Sequence, residues 1–289
     1  MFSHTPVLLE EVIRFLVPRP GGCLIDATLG GGGHSRAILE RITPGGRLLA
    51  IDQDEAVLAI QQEKFGSSSS RVAFVHSNFK EVASLAARYG FLECDGVLAD
   101  IGISSMMVDD ASRGFSFMRE GPLDMRMDRN NPLTAAEVVN TYSEKEIADI
   151  LYKFGEERRS RPIARSIVRS RPLSMTTDLA HAVGRVTGGP RHGQIHPATR
   201  TFQALRIYVN DELNNLEKFL DSAMSVVRSG GRIVVITFHS LEDRIVKQKF
   251  RASAVPGQVM TKKVVVASQE EVAANPRARS AKLRAWERS

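Results

Sequence analysis

Residues 22–34 read Gly-Cys-Leu-Ile-Asp-Ala-Thr-Leu-Gly-Gly-Gly-Gly-His: a short apolar run, an acid at its end, then four consecutive glycines. Cys23–Asp26 has the makeup of a buried strand, and the glycines fall where a strand turns into a helix. A second apolar run, Leu48–Ile51, ends against Asp52. A strand, a glycine turn and a carboxylate at the tip of the following strand are the layout of a nucleotide-type cofactor site. Glycine lets the backbone approach a ligand closely, and the carboxylate can accept both hydroxyls of a ribose. The stretch predicts an α/β fold that holds an adenosine-like cofactor, and it leaves open which one.

The pattern extends outward from there. Val72–His76, Gly96–Asp100 and Arg232–Phe238 read as further strands with helical stretches between them, which predicts a parallel sheet. The first four strands end close to Asp26, Asp52, Asn78 and Asp100, along the carboxyl-end rim where open α/β sheets bind ligands. Lys263–Val266 and Lys282–Trp286 read as an antiparallel pair closing the sheet edge. Between Asp100 and Arg232 lie about 130 residues, too many for a loop in a compact domain. Their periodicity is helical over Glu144–Phe154, Arg161–Arg169, Thr177–Val186 and Thr201–Val227. The last of these carries Phe202, Leu205, Val209, Leu213, Leu216 and Leu220 on one stripe, and is expected to return the chain to the sheet. The expected organisation is a sheet domain over 1–105 and 198–289, interrupted by an inserted helical domain over 106–197.

Composition narrows the class. With 43% hydrophobic and 25% charged residues the chain is a globular protein. It has no run of eighteen apolar residues, and its first residues lack a basic start and an apolar core, so a cytoplasmic protein without a membrane segment is expected. Two cysteines, Cys23 and Cys94, are too few for a zinc site, and both read as buried small side chains; no metal is expected. The net charge of +6 hints at a polyanionic partner. Arg161, Arg165 and Arg169 recur every fourth residue, so a helix would align them as either a solvated face or a phosphate-binding one. The C-terminal stretch adds Arg277, Arg279, Lys282, Arg284 and Arg288.

Three cofactor readings compete for the glycines. A phosphate loop fails, because His34-Ser35 stands where Gly-Lys-Ser/Thr is needed. A nicotinamide site fails, because Gly30–Gly33 leaves no third glycine at the required offset. S-adenosylmethionine remains, with the glycine turn at its methionine part, Asp52 at the ribose and Ser77-Asn78-Phe79 near the adenine.

Longer motifs then decide. They are Asp-Ile-Gly-Ile-Ser-Ser (100–105), Arg-Gly-Phe-Ser-Phe-Met-Arg-Glu-Gly-Pro-Leu-Asp-Met-Arg-Met-Asp (113–128), His-Pro-Ala-Thr-Arg-Thr-Phe-Gln-Ala-Leu-Arg (196–206), Phe-His-Ser-Leu-Glu-Asp-Arg (238–244) and Asn-Pro-Arg-Ala-Arg-Ser-Ala-Lys-Leu-Arg (275–284). In this order they closely resemble the bacterial family that methylates the N4 amine of a decoding-site cytosine in 16S rRNA of the small ribosomal subunit. The resemblance runs from His4-Thr5-Pro6 almost to the C-terminus. It implies a class I, Rossmann-like methyltransferase sheet with an inserted helical substrate-recognition domain, and S-adenosylmethionine as methyl donor. By the family's pattern Gly32, Gly33 and His34 lie at the methionine end of the cofactor, Asp52 at the ribose, Phe79 by the adenine and Asp100 at the methyl-transfer point. The family usually carries a glutamine shortly after the Ser-Ser pair. Met107 stands there in this chain, which questions a cofactor hydrogen bond from that position.

The chemistry follows from the groups. A cytosine amine is a poor nucleophile while the sulfonium methyl is already activated, so the enzyme mainly aligns the two. Asp100, or the carbonyl of Ile101 or Gly102, can accept from the amine, and a carboxylate favours the cationic donor. Phe115, Phe117 and Phe238 are candidates to stack on an unstacked base. Other polar residues have two readings each. Asp26 and His34 serve the cofactor or cap the next helix. His239 touches substrate or packs at a strand end. Arg113, Arg119, Arg126 and Arg129 contact RNA or form an internally bridged loop with Glu120, Asp124 and Asp128. His196 and Arg200 are expected to fix the loop before the long helix. Two other functions compete: a non-catalytic RNA-binding ribosome-assembly factor, disfavoured by Asp100 beside an intact glycine turn, and a DNA amine methyltransferase, disfavoured by the non-standard Asp100–Ile103. No obligatory protein partner is evident.

Overall fold

The computed structural model describes residues 6–189 and 196–289; His4 and Thr5, where the resemblance begins, lie outside them. The chain divides into two compact units, Met1–Gly102 with Leu213–Ser289, and Ile103–Glu212. The first unit opens with α1 (Leu9–Leu16), β1 (Cys23–Asp26), α2 (Gly33–Arg41), β2 (Arg47–Asp52), α3 (Glu55–Phe65), β3 (Val72–His76), α4 (Val82–Tyr89) and β4 (Cys94–Asp100). The second unit is helical: α5 (Ser105–Asp109), α6 (Ala135–Thr141), α7 (Glu144–Gly155), α8 (Ser160–Arg169), α9 (Thr176–Thr187) and α10 (Thr199–Val209). The chain returns to the first unit with α11 (Glu212–Val226), β5 (Val227–Thr237), α12 (Ser240–Arg251), β6 (Gly257–Val259), β7 (Val265–Val266), α13 (Gln269–Ala274) and β8 (Lys282–Arg288).

The strands form one sheet in the order β3-β2-β1-β4-β5-β8-β6, with β7 also on β8. The first five are parallel, and β8 runs antiparallel to β5, β6 and β7. Strands buried on both faces read as continuous apolar runs, and alternation sorts their side chains between two cores. Leu24, Leu48, Ala50, Leu98, Val234 and Ile236 pack with Leu16, Ile38 and Leu58 on one face. Ile25, Leu49, Ile51, Val97, Val235 and Trp286 pack with Leu85, Phe219 and Phe250 on the other. The register sets Asp52 beside His76 and Asp100 beside Ile236, which aligns the carboxyl ends of the parallel strands. No helix among the described residues is long and apolar enough to cross a membrane.

The second unit has its own core, in which Val138, Ile147, Leu151, Ile163, Ile167, Leu179 and Leu205 are fully buried. A capping box starts α7: Ser143 Oγ accepts from Glu146 N–H, and the Glu146 carboxylate accepts from Ser143 N–H.

Three sequence expectations need correction. The helix expected over 201–227 is two helices, broken at Asn210 and Asp211. Asp211 sits at φ 49°. The Asn210 side chain donates to Met125 O at 2.8 Å and accepts from Met127 N–H at 2.7 Å, so the break clamps a distant loop. The division therefore falls at Gly102 and Glu212, and α10 packs with the inserted helices instead of with the sheet as a boundary at 198 required. Finally, the sheet edge holds β6 as well as the expected late pair, and β7 pairs Val265 with Leu283.

Candidate active site

The glycine turn connects β1 to α2. Gly30 and Gly32 take φ 48° and 73°, a region that favours glycine. At Gly32 a Cβ would lie 2.6 Å from Gln61 Oε1, while at Gly30 it would meet only Thr28 O at 3.9 Å among the described residues. A Cβ at Gly33 would press on the Pro6 ring at 3.0 Å. The turn is tied to the next strand, because Gly30 N–H donates to Asp52 Oδ2 at 2.8 Å. Asp52 Oδ1 accepts from Asp54 N–H at 2.9 Å. The carboxylate is thus held by backbone donors on both oxygens.

Asp26 and Asp100 lie on the same rim. Asp26 is buried; its carboxylate accepts from Ser35 Oγ at 2.6 Å and from Thr28 N–H at 3.1 Å. It does not cap α2, whose N-cap is Gly32 with no side-chain bond. Thr28 Oγ1 accepts from Asp100 N–H at 2.6 Å, joining β4 to the turn after β1. Asp100 Oδ1 is buried with no hydrogen-bond partner among the described residues, and Oδ2 is 3.6 Å from His34 Nδ1. His34 is buried, and its Nε2 donates to Val7 O at 2.9 Å, which turns Nδ1 toward Asp100.

Burial sets the electrostatics. It pushes Asp100 up to about 8, with the charges of Asp26 and Glu242 adding to the effect. Asp26 rises to about 7, mainly through burial, against the pull of Ser35 and Thr28 N–H. Asp52 rises to about 6, again through burial, against its backbone donors. Among the described residues no Lys or Arg pairs with these three carboxyl groups, so a bound cation would favour their ionised forms.

The other expected residues separate. Phe79 follows β3, is 9% exposed and packs edge-on against Phe219 at 5.3 Å, so most of its ring belongs to the core. Met107 is 4% exposed and packs in the second unit's core. Phe115 and Phe117 also join that core, and His196 stacks on Phe117 at 4.4 Å. Phe238 remains at the rim, its ring 3.2 Å from where a Gly102 Cβ would stand. His239 caps α12: its Nδ1 accepts from Glu242 N–H at 3.4 Å, and Nε2 lies 2.9 Å from Glu242 Oε1 without hydrogen-bond alignment. Glu242 Oε2 accepts from Phe238 N–H at 2.8 Å. Sequence reading missed this buried acid, although the His-Ser-Leu-Glu spacing is that of a capping box.

Arg161, Arg165 and Arg169 are exposed on α8, opposite buried Ile163, Ala164 and Ile167. Arg165 pairs with Glu144 at 3.3 Å; the other two have no acidic partner among the described residues. Of the four arginines over 113–129, Arg113 and Arg126 are held internally, while Arg119 and Arg129 are exposed. Arg113 donates to Arg126 O and Met127 O, and Arg126 grips Asp124 at 2.8 and 2.9 Å.

A Rossmann-like sheet whose rim carries a glycine turn, an acid at the tip of the second strand and a half-buried carboxyl group at the end of the fourth is the frame of the S-adenosylmethionine-dependent methyltransferases. The chain belongs to the MraW methylase family, whose model matches residues 1–289. It is 52% identical over 288 residues to ribosomal RNA small subunit methyltransferase H of Nostoc punctiforme, covering 99% of this chain and 94% of that protein. The protein of the same name from Acidobacterium capsulatum is 51% identical over 294 residues, covering 99% and 98%. Among solved structures PH0851 shares the fold, with a TM-score of 0.50 at 12% identity over 99% of this chain and 47% of that one.

Proposed function

We propose that this protein transfers a methyl group from S-adenosylmethionine to the N4 amine of a decoding-site cytosine in 16S rRNA. The observation that carries the reading is Asp100: a carboxyl group at the carboxyl end of β4 with one buried oxygen that has no partner among the described residues, on the same rim as the glycine turn. The residue set suits the cofactor, since Asp26, Asp52 and Asp100 offer acceptor oxygens, and a ligand that is cationic at sulfur and nitrogen draws their raised titrations back down and favours the ionised forms. When bound, S-adenosylmethionine supplies a methyl group already activated for transfer.

The protein's own part is binding, orientation and proton handling. Gly32, Gly33 and His34 line the methionine end, Asp52 takes the ribose hydroxyls on its remaining lone pairs, and the exposed edge of Phe79 bounds the adenine. Asp100 holds a proton of the attacking amine at Oδ1, which localises the nitrogen lone pair and fixes its direction. Phe238 offers its face to the unstacked base. The exposed arginines of α8 bind phosphates of the surrounding RNA. His239 serves through the cap, and direct substrate contact from it is not part of this reading.

The test is to map N4-methylcytosine in 16S rRNA from cells lacking the gene, with and without the gene restored. One decoding-site mark should vanish and return. An unchanged map would overturn the proposal.

A further inference from the structure

A second polar recess lies in the first unit, between α12 and the β8 edge of the sheet. Lys247, Phe250, Arg251, Val259, Thr261, Lys262 and Arg284 enclose about 200 Å³. Four of the seven are cationic, and they come from three places in the chain. Lys247 and Arg251 stand one turn apart on α12, Lys262 follows β6, and Arg284 is in β8. Lys247, Arg251 and Lys262 are exposed and have no acidic partner among the described residues. Arg284 is 8% exposed; its Nε and Nη2 grip Asp243 at 2.6 and 3.1 Å, while Nη1 has no acceptor among the described residues. Asp243 is therefore neutralised, and the three remaining cations face one small space.

Cations that converge on one small recess raise its potential and draw an anion to it. The volume decides its size. About 200 Å³ is room for six or seven waters, and is below the range of sites that enclose a whole small molecule. It suits a single multi-oxygen group. Strand alternation gives its location: Trp286 packs on the α12 face while Leu283 and Ala285 pack on the other, so Arg284 points to the α12 face. Helix rise puts Lys247 and Arg251 about 10 and 16 Å along α12 from its first residue, which follows the catalytic rim by three positions.

We infer that this recess binds one phosphodiester of the RNA strand at a distance from the reacting base, a contact that reads no sequence. The inference rests on the RNA reading above. It assigns Lys247, Arg251 and Lys262 to phosphate, with Arg284 Nη1 as the donor in the floor.

The experiment compares the wild type with a Lys247→Gln, Arg251→Gln, Lys262→Gln variant. A second variant of equal net charge, Lys64→Gln, Arg88→Gln, Lys218→Gln, removes exposed cations elsewhere in the same unit. Binding of a 16S rRNA decoding-site fragment is titrated across salt concentrations, and methyl transfer is measured at saturating RNA. The recess variant should bind several-fold more weakly, with a log–log salt slope shallower by about 0.7 to 1. The control variant should keep the wild-type slope, and kcat and S-adenosylmethionine affinity should hold in all three. Equal slopes for wild type and recess variant would overturn the inference while leaving the RNA reading intact. A wild type that does not bind the fragment would sink the RNA reading itself. Two further arms use inorganic phosphate and a poly-glutamate peptide as competitors. If either one occupies the recess while the RNA slope is unchanged, the site serves a free phosphate or an acidic protein and the inference is wrong.

Discussion

Replacing Asp100 with Asn should stabilise the fold and abolish its chemistry at once. The carboxyl is held near 8 in the folded protein, against 3.8 for an ordinary aspartate, chiefly by burial and then by Asp26 and Glu242. The sign follows from proton counting. Between about pH 4 and pH 8 the unfolded chain has lost this proton and the folded chain keeps it, so folding takes up a proton. Stability therefore falls as pH rises through that window and levels off above it. From 3.8 to about 8 is about four pH units, which at 1.36 kcal/mol each sets a ceiling of about 6 kcal/mol. The side chain is 23% exposed, and water and relaxation screen the charge, so about 2 kcal/mol is a reasonable fraction to survive. Asn keeps the shape and the backbone bond to Thr28 while removing the charge. Thermal unfolding of the ligand-free protein at about pH 9 should show the variant higher by about 4–8 °C. At about pH 4 the two melting temperatures should nearly coincide. Methyl transfer to rRNA should fall by about 10²-fold or more, the range for loss of a proton acceptor. A variant that melts no higher at pH 9 would refute the electrostatic argument. One that methylates at the wild-type rate would refute the role of Asp100.

Asp52→Ala should weaken S-adenosylmethionine binding by about 1–3 kcal/mol through lost charge-assisted hydrogen bonds, and calorimetry with unchanged affinity would remove it from the site. It should also loosen the glycine turn, seen as faster hydrogen exchange at Gly30, whose N–H it accepts. Reversing Arg161 and Arg165 to Glu should weaken RNA binding and flatten its salt dependence. An unaltered slope would make the α8 face a solvated surface.

Much of this was legible because the signals were local. Four of the five parallel strands are short apolar runs ending on a polar residue, and each begins and ends within two residues of its expected place. The glycine turn, Asp52 and Asp100 followed from those ends. What escaped depends on distant partners. The stripe from Phe202 to Leu220 is continuous, and only the bonds from Asn210 to Met125 and Met127 show why the helix must stop. Met107, Phe115 and Phe117 are apolar residues in a motif-rich stretch, and no spacing rule shows that the inserted unit's core claims them. β6 is three residues long and exists by pairing with β8.

The insertion has a consequence for how the chain is made. β4 ends at Asp100 and its neighbour β5 begins at Val227, so residues 101–226 must emerge before that edge is covered. A common crossover needs a dozen or so residues. Closing the longer interval costs about 2 kcal/mol more in loop entropy. The inserted unit's own core offsets this, because once folded it brings its two ends under control as a body and not as a free coil. Until then the growing chain carries an apolar, unpaired strand edge at the centre of its future sheet. Faults in the inserted helices should therefore show first as an aggregating nascent chain, well before any loss of affinity for RNA.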